Sequence, residues 1–193
     1  MNNKIKFIAL SALASAMTFT SVASQAAVNG SVEVKFQSSI TSASCEIGVI
    51  NEDGSENLSN TIILPSLTTT EVGTTNGIVG EAVLFSVGPK NPDDCYTAIS
   101  TAPAVSKYDV VAAGDQVVAD VLRNTYATGP QDMGVKLTLA DGSSILNAPL
   151  IGKLVANADE TIIDFKSQLF HVGTNSTTEG LIGSVATITT AYY

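Results

Sequence analysis

The chain of 193 residues has no tryptophan, one histidine, two cysteines and only nine basic residues. Each shortage excludes something. Nine Lys and Arg stand against eighteen Asp and Glu, for a net charge of −9. With no basic cluster, that balance argues against nucleic acid and anionic membranes as partners. His171 is the sole histidine. A Ser-His-Asp site needs its base oriented by a carboxylate, and no nucleophile-elbow glycine pattern occurs, so an enzyme is not expected. A lone histidine following a strand reads as a surface or edge residue. A cysteine nucleophile would compete with a disulfide. No internal repeat or low-complexity tract is present. Beyond the first residues, no segment is long and apolar enough to span a bilayer.

What is there begins with an export signature. Lys4 and Lys6 form a basic start, Phe7 to Phe19 is an apolar run, and Ser24-Gln25-Ala26 places small residues at the −3 and −1 positions of a cleavage site. Residues 1–26 read as a signal peptide; the alternative, a membrane anchor, would need about 20 apolar residues. Cleavage after Ala26 leaves 167 residues with a net charge of −11, enough for one domain with a core of its own. Cys45 and Cys95 both remain. An even count in an exported chain suggests one disulfide rather than two free buried thiols.

The remaining sequence is rich in Val, Ile and Thr, with short alternating runs separated by Gly, Asn, Asp and Pro, which suits a sandwich or barrel. Val28, Gly30, Val32, Val34 and Phe36 alternate with Asn29, Ser31, Glu33 and Lys35, a period-2 strand with one apolar face. It has no neighbouring hairpin partner, and an isolated strand cannot bury its apolar side alone. Further strands are expected at Ile40–Ile50, Thr61–Leu64, Ala82–Val87, Val135–Leu139, Ile145–Leu150 and Thr161–Phe170. Gly88–Asp94 reads as a loop, Asp141-Gly142 as a hairpin turn, and Gly173–Gly180 as a loop. Tyr108–Ala113 and Gln116–Leu122 are apolar but ambiguous between strand and helical turn.

The loop Asn51–Asn57 carries oxygen ligands and invites a calcium reading. An EF-hand needs glycine at its sixth position and glutamate at its twelfth; here those are Glu56 and Ile62. A solvated loop is the better reading, and no metal or cofactor is expected. The Asn57-Leu58-Ser59 and Asn175-Ser176-Thr177 sequons are assigned no role.

The chain ends in an uncharged stretch, Gly180 to Tyr193, that reads as a β-strand with Ala186, Ile188, Thr190 and Tyr192 on one face. The Tyr192-Tyr193 pair could serve as a stacking platform for a ligand, or Tyr192 could anchor that strand by packing with Tyr193 partly exposed.

Several of these pieces, taken in order, resemble the subunits of fimbriae assembled by the chaperone–usher pathway, in particular the major pilins of type 1 and P fimbriae. They are Val28-Asn29-Gly30 with Val32, Val34 and Phe36; Cys45; Ile62-Ile63-Leu64-Pro65-Ser66-Leu67; Phe85-Ser86-Val87 ahead of Cys95; Gly134 to Asp141; Ile163, Phe165 and Leu169; and Gly180 with the penultimate Tyr192. The spacing between the cysteines is longer than in that family, and residues 96–132 match poorly.

The resemblance implies an all-β, incomplete immunoglobulin-like β-sandwich that lacks its final strand and is completed by a donor strand from a neighbouring subunit. It implies a donor extension over residues 27–38 and a pilin domain over 39–193. A periplasmic chaperone would first fill the groove, and at the outer-membrane usher the extension of the next subunit would replace it, by β-strand addition. Val28, Gly30, Val32, Val34 and Phe36 would donate, with Gly30 matching the family's donor-strand glycine. Gly180, Ala186, Ile188 and Tyr192 would form the groove edge and the chaperone contact. The four apolar donor side chains, at about 1.5–3 kcal/mol each, represent gross stabilisation of order 6–12 kcal/mol before ordering costs. Partners would be other pilin subunits, the chaperone and the usher, and the location a fimbrium on the bacterial surface, supporting adhesion. The alternative is a minor adaptor or single-domain adhesin that binds a host receptor.

Overall fold

A computed structural model describes residues 45–100 and 106–193. The donor candidates at 28–36 and residues 40–44 of the Ile40–Ile50 stretch lie outside the described residues; the rest of that stretch leads into the first strand. Among the described residues, nine strands form two sheets. The larger contains β1 (Ile47–Asn51), β2 (Gly77–Pro89), β4 (Gln116–Val118), β5 (Val121–Arg123), β6 (Met133–Leu139) and β8 (Ile163–His171), in the order β1-β2-β8-β6-β5-β4. The smaller has β3 (Lys107–Gly114), β7 (Leu150–Leu154) and β9 (Ala186–Tyr192), in the order β7-β3-β9. Every ladder between named strands is antiparallel.

The alternating runs explain the core. On β8, Ile163, Phe165, Ser167, Leu169 and His171 point inward and are buried, while the residues between them are not. Phe85 of β2 lies directly across from Phe165, and their rings stack with centroids 5.4 Å apart. Tyr108 of β3 faces Tyr192 of β9 in the same way, at 6.1 Å. One main cluster takes in these rings with Val87, Val110, Ala112, Leu137 and Ile145. A smaller one gathers Val72, Met133 and Leu169 near one end.

The ambiguous middle resolves into strands. Tyr108–Ala113 lies in β3, and Gln116–Leu122 splits into β4 and β5 around Asp120, which turns with φ of 60°. The return after the Asp141-Gly142 turn differs from the expected Ile145–Leu150 strand. Only a single bridge, Thr138 to Ser144, continues the hairpin, and the chain then crosses to the other sheet. Ile145 and Leu146 are both buried, which consecutive residues on one strand with a solvent face cannot be. They plug the space between the sheets, and the strand that follows, β7, pairs with β3.

Two further expectations are corrected. The Gly88–Asp94 loop is shorter: β2 runs on to Pro89, and a helix α1 at Thr69–Val72 is joined by a second, α2, at Pro92–Ile99, which carries Cys95. Proline at the helix start and Asp93 and Asp94 in its first turn favour that start. Thr61–Leu64 forms no ladder. It keeps the alternation, with Ile62 and Leu64 half-buried and Ile63 exposed, and packs through side chains alone.

Candidate functional site

The disulfide is present between Cys45, just ahead of β1, and Cys95 on α2, with the Cα atoms 5.4 Å apart. It ties the outermost strand of the large sheet to the helix behind it. Closing so long a loop stabilises by about 4 kcal/mol in the chain-entropy model.

The C-terminal stretch divides into two parts. Strand β9 begins at Ala186, not at Gly180. Residues 180–185 instead lie against the segment after β5. Asn124 holds them from both sides, its Nδ2 donating to the Leu181 carbonyl at 3.0 Å and its Oδ1 accepting from the Gly183 amide at 3.1 Å. The Thr125 amide donates to the Gly183 carbonyl at 2.7 Å. The packing is tight enough that a Cβ on Gly183 would sit 2.5 Å from the Tyr126 ring. A Cβ on Gly180, whose φ is 155°, would meet Gly129 and Pro130 at 3.0 Å. Gly180 is therefore a glycine of close approach in a loop, outside the strand it was expected to open.

Along β9 the expected face is found. Ala186 and Ile188 pack, half-buried, against the main core, and Tyr192 is part of it. The Tyr192 hydroxyl donates to the Thr161 carbonyl at 2.6 Å. Burial holds that hydroxyl well above the ordinary tyrosine range. Tyr193 is partly exposed and its hydroxyl donates to Asp109 at 3.0 Å. Tyr192 is thus a packing anchor.

Among the described residues, strand β9 has a ladder on one side only, to β3. Its direction follows from the register. Lys107 and Tyr193 exchange both backbone bonds, at 2.7 and 2.9 Å. In an antiparallel ladder such pairs recur every second residue, so Thr187, Thr189, Ala191 and Tyr193 bond toward β3. The amides and carbonyls of Ala186, Ile188, Thr190 and Tyr192 are directed to the outer edge. The same four residues turn their side chains inward.

The two core clusters have half-buried margins on two segments. Ile62, Leu64 and Leu67 lie on one; Ile182, Ala186 and Ile188 lie on the other. Among the described residues no ladder joins these two segments. A strand laid along β9 would find outward backbone groups to pair with, and apolar side chains of both margins to cover.

The other sequence candidates are settled locally. His171 is fully buried, not a surface or edge residue. Its Nδ1 donates to the Thr75 carbonyl at 3.1 Å, and its Nε2 lies 3.4 Å from an oxygen of Asp132. That carboxylate also accepts from the Thr177 hydroxyl at 2.8 Å. The group pins three loops at one end of the sandwich. Sequence reasoning missed it because Asp132 and Thr75 are distant in the chain. In the Asn51–Asn57 loop the oxygens bond within the loop: Asp53 accepts from the Ser55 amide and hydroxyl, which lowers its pKa.

No family model matches the sequence, and no curated protein matches it. Solved structures do. The chain is similar to a chaperone–usher pilus structure that bears on rod uncoiling, with a TM-score of 0.51 and 13% identity, over 88% of this chain and 100% of that one. The rod subunit of the P pilus, PapA, matches at a TM-score of 0.48 and 15% identity, over 84% of this chain and 100% of that one. The CupB6 tip adhesin from Pseudomonas aeruginosa matches at 0.41 and 14%, over 75% of this chain and 42% of that one. The likeness to the pilus structure shows the fold: an all-β, immunoglobulin-like pilin sandwich.

Proposed function

We propose that this chain is a structural subunit of a bacterial surface fimbria, exported through the periplasm and polymerised by donor-strand exchange. The observation that carries it is the edge of β9. Four residues there direct their backbone groups outward while their side chains face a core whose margins are half-exposed. Val28, Gly30, Val32, Val34 and Phe36 of a second copy supply the missing partner: an apolar face of matching period. A chain with both a donor segment and an accepting edge is a link in a fibre, so the shaft is its natural place. A periplasmic chaperone and an outer-membrane usher are the partners such an edge requires before assembly. The reading draws support from the fold shared with a pilus subunit.

Thermal unfolding of an oxidised chain beginning at Ser38, with and without a peptide spanning residues 27–36, tests it. Strong stabilisation by the peptide is expected. A domain that is fully stable alone and indifferent to the peptide sinks the proposal. In the full chain, Val32→Asp places a charge where an apolar side chain is buried, and polymers should be lost while the chain is still exported. Abundance in sheared surface fibres separates a shaft subunit, which dominates them, from an adaptor or receptor-binding adhesin, which does not.

A further inference from the structure

Three large apolar side chains stand exposed together where β9 begins. Leu181 is 69% exposed, Val185 70% and Tyr126 47%. The loop and the Tyr126 segment are fixed to one another by Asn124 and by the Thr125 bond to Gly183. The loop is also pressed against the end of β3, since a Cβ on Gly114 would sit 2.9 Å from the Val185 carbonyl. Between the exposed residues, Ile182 turns inward to the smaller core cluster. The loop is therefore held in place by bonds and packing, yet shows its apolar side chains to solvent.

The donor-strand reading says what covers them, and this inference rests on that reading. All named ladders in the domain are antiparallel, including the one that β9 already makes. A donor that continues the pattern runs antiparallel to β9. Its last residue, Phe36, then lies beside Ala186, and its first beside Tyr192. The body of the donating copy must follow Phe36, at the Ala186 end. Only eight residues, 37–44, separate Phe36 from Cys45, a reach of at most about 32 Å. The donor's body is thus kept close to Tyr126, Leu181 and Val185. Next to its own Cys45 that body is concave. A cavity of about 310 Å³ is bounded there by Cys45, Glu46, Lys90, Asn91, Asp94 and Cys95, with Lys90 held between Glu46 and Glu56 at 2.8 and 3.1 Å.

We infer that Tyr126, Leu181 and Val185 form a second, body-to-body interface in the fibre. They receive the surface beside Cys45 of the copy whose strand fills the groove. This is a head-to-tail contact, with different patches on the two copies, which propagates along a filament. The donor strand supplies affinity, and the patch fixes the angle between successive subunits.

Photo-crosslinking in fibres of the full chain is the test, with p-benzoylphenylalanine replacing Val185. Ile151, 69% exposed on β7 at the far side of the small sheet, is the comparison site, and Tyr193 marks the opposite end of β9. The expected result is a two-copy adduct from position 185, severalfold above that from 151, that maps by mass spectrometry to residues 37–46 and 90–98 of the other copy. Fibres that form normally but give no more adduct from 185 than from 151 overturn the interface and leave donor-strand exchange intact. Adducts concentrated at 193 place the donor's body at the wrong end and overturn it as well. If the unsubstituted chain forms no fibres, the donor-strand reading fails and the interface falls with it.

Discussion

Strands β8 and β9 share one alternating pattern and end in different states. Strand β8 is paired on both sides, by β2 and β6, and every inward position from Ile163 to His171 is buried. Among the described residues strand β9 is paired only by β3, and of its inward positions only Tyr192 is buried. Both alternate with period 2, and β9 is the richer of the two in β-branched and aromatic residues. What separates them is neighbours. One margin of the sandwich is closed by its own chain, and the other presents its inward residues half-covered. Burial per residue follows ladder position.

The largest effect should come from breaking the closed side. Phe165→Ala removes a ring that is fully buried and stacked on Phe85. A loss of about 3–5 kcal/mol is expected from the lost burial and the cavity left behind, measured by denaturant unfolding with or without the donor peptide. Equal stability of the variant and the parent would show that the two sheets are not packed as described.

A matched pair sharpens the comparison. Ile163→Ala on β8 should cost about 2–4 kcal/mol whatever is bound. Ile188→Ala on β9 should cost roughly half as much in the unpolymerised chain, because the isoleucine is already half in solvent. With the donor peptide present, the two costs should converge. If Ile188→Ala is as damaging alone as with peptide, the margin of β9 is covered by something other than a donor.

The closed side was largely legible in the sequence. The expected strands at Ala82–Val87, Val135–Leu139 and Thr161–Phe170 fall within or close to β2, β6 and β8, although β2 starts earlier, at Gly77, and the Asp141-Gly142 turn falls where it should. The open side was read less well, for non-local reasons. Residues 180–185 have strand-like composition, but the backbone of Gly129 and the ring of Tyr126 approach them so closely that Gly180 and Gly183 are required there. Nothing between residues 180 and 193 signals where that packing stops and β9 starts. Likewise Ile145 and Leu146 have the composition of a returning strand, and only the gap between the sheets explains why they leave it. The α2 helix was signalled, by Pro92 followed by two aspartates, but its Gly-Pro and Asn-Pro neighbours read equally as a loop. His171 looked unimportant because its partners, Thr75 and Asp132, are brought to it by two loops distant in the chain.

Tyr192 is the place where β9 behaves like β8, and it offers the smallest and most specific test. Its hydroxyl is buried and donates to the Thr161 carbonyl, so that Tyr192→Phe removes one bond and leaves a buried acceptor unpaired. A loss of about 1–3 kcal/mol is expected. The pH dependence reports how completely that hydroxyl is buried. In the unfolded chain the phenol ionises near its ordinary value of 10.0, whereas burial raises the folded value well above that. The folded state therefore holds its proton where the unfolded state releases it. The contribution is complete below pH 10 and is lost as the pH climbs from there toward the folded value. The parent chain should show a falling stability curve above pH 10, and Tyr192→Phe should flatten it. The residual slope then belongs to the other tyrosines, among them Tyr193, whose hydroxyl is raised by its bond to Asp109. An unchanged slope would mean that the hydroxyl reaches solvent, and that β9 is open along its whole length rather than anchored at its end.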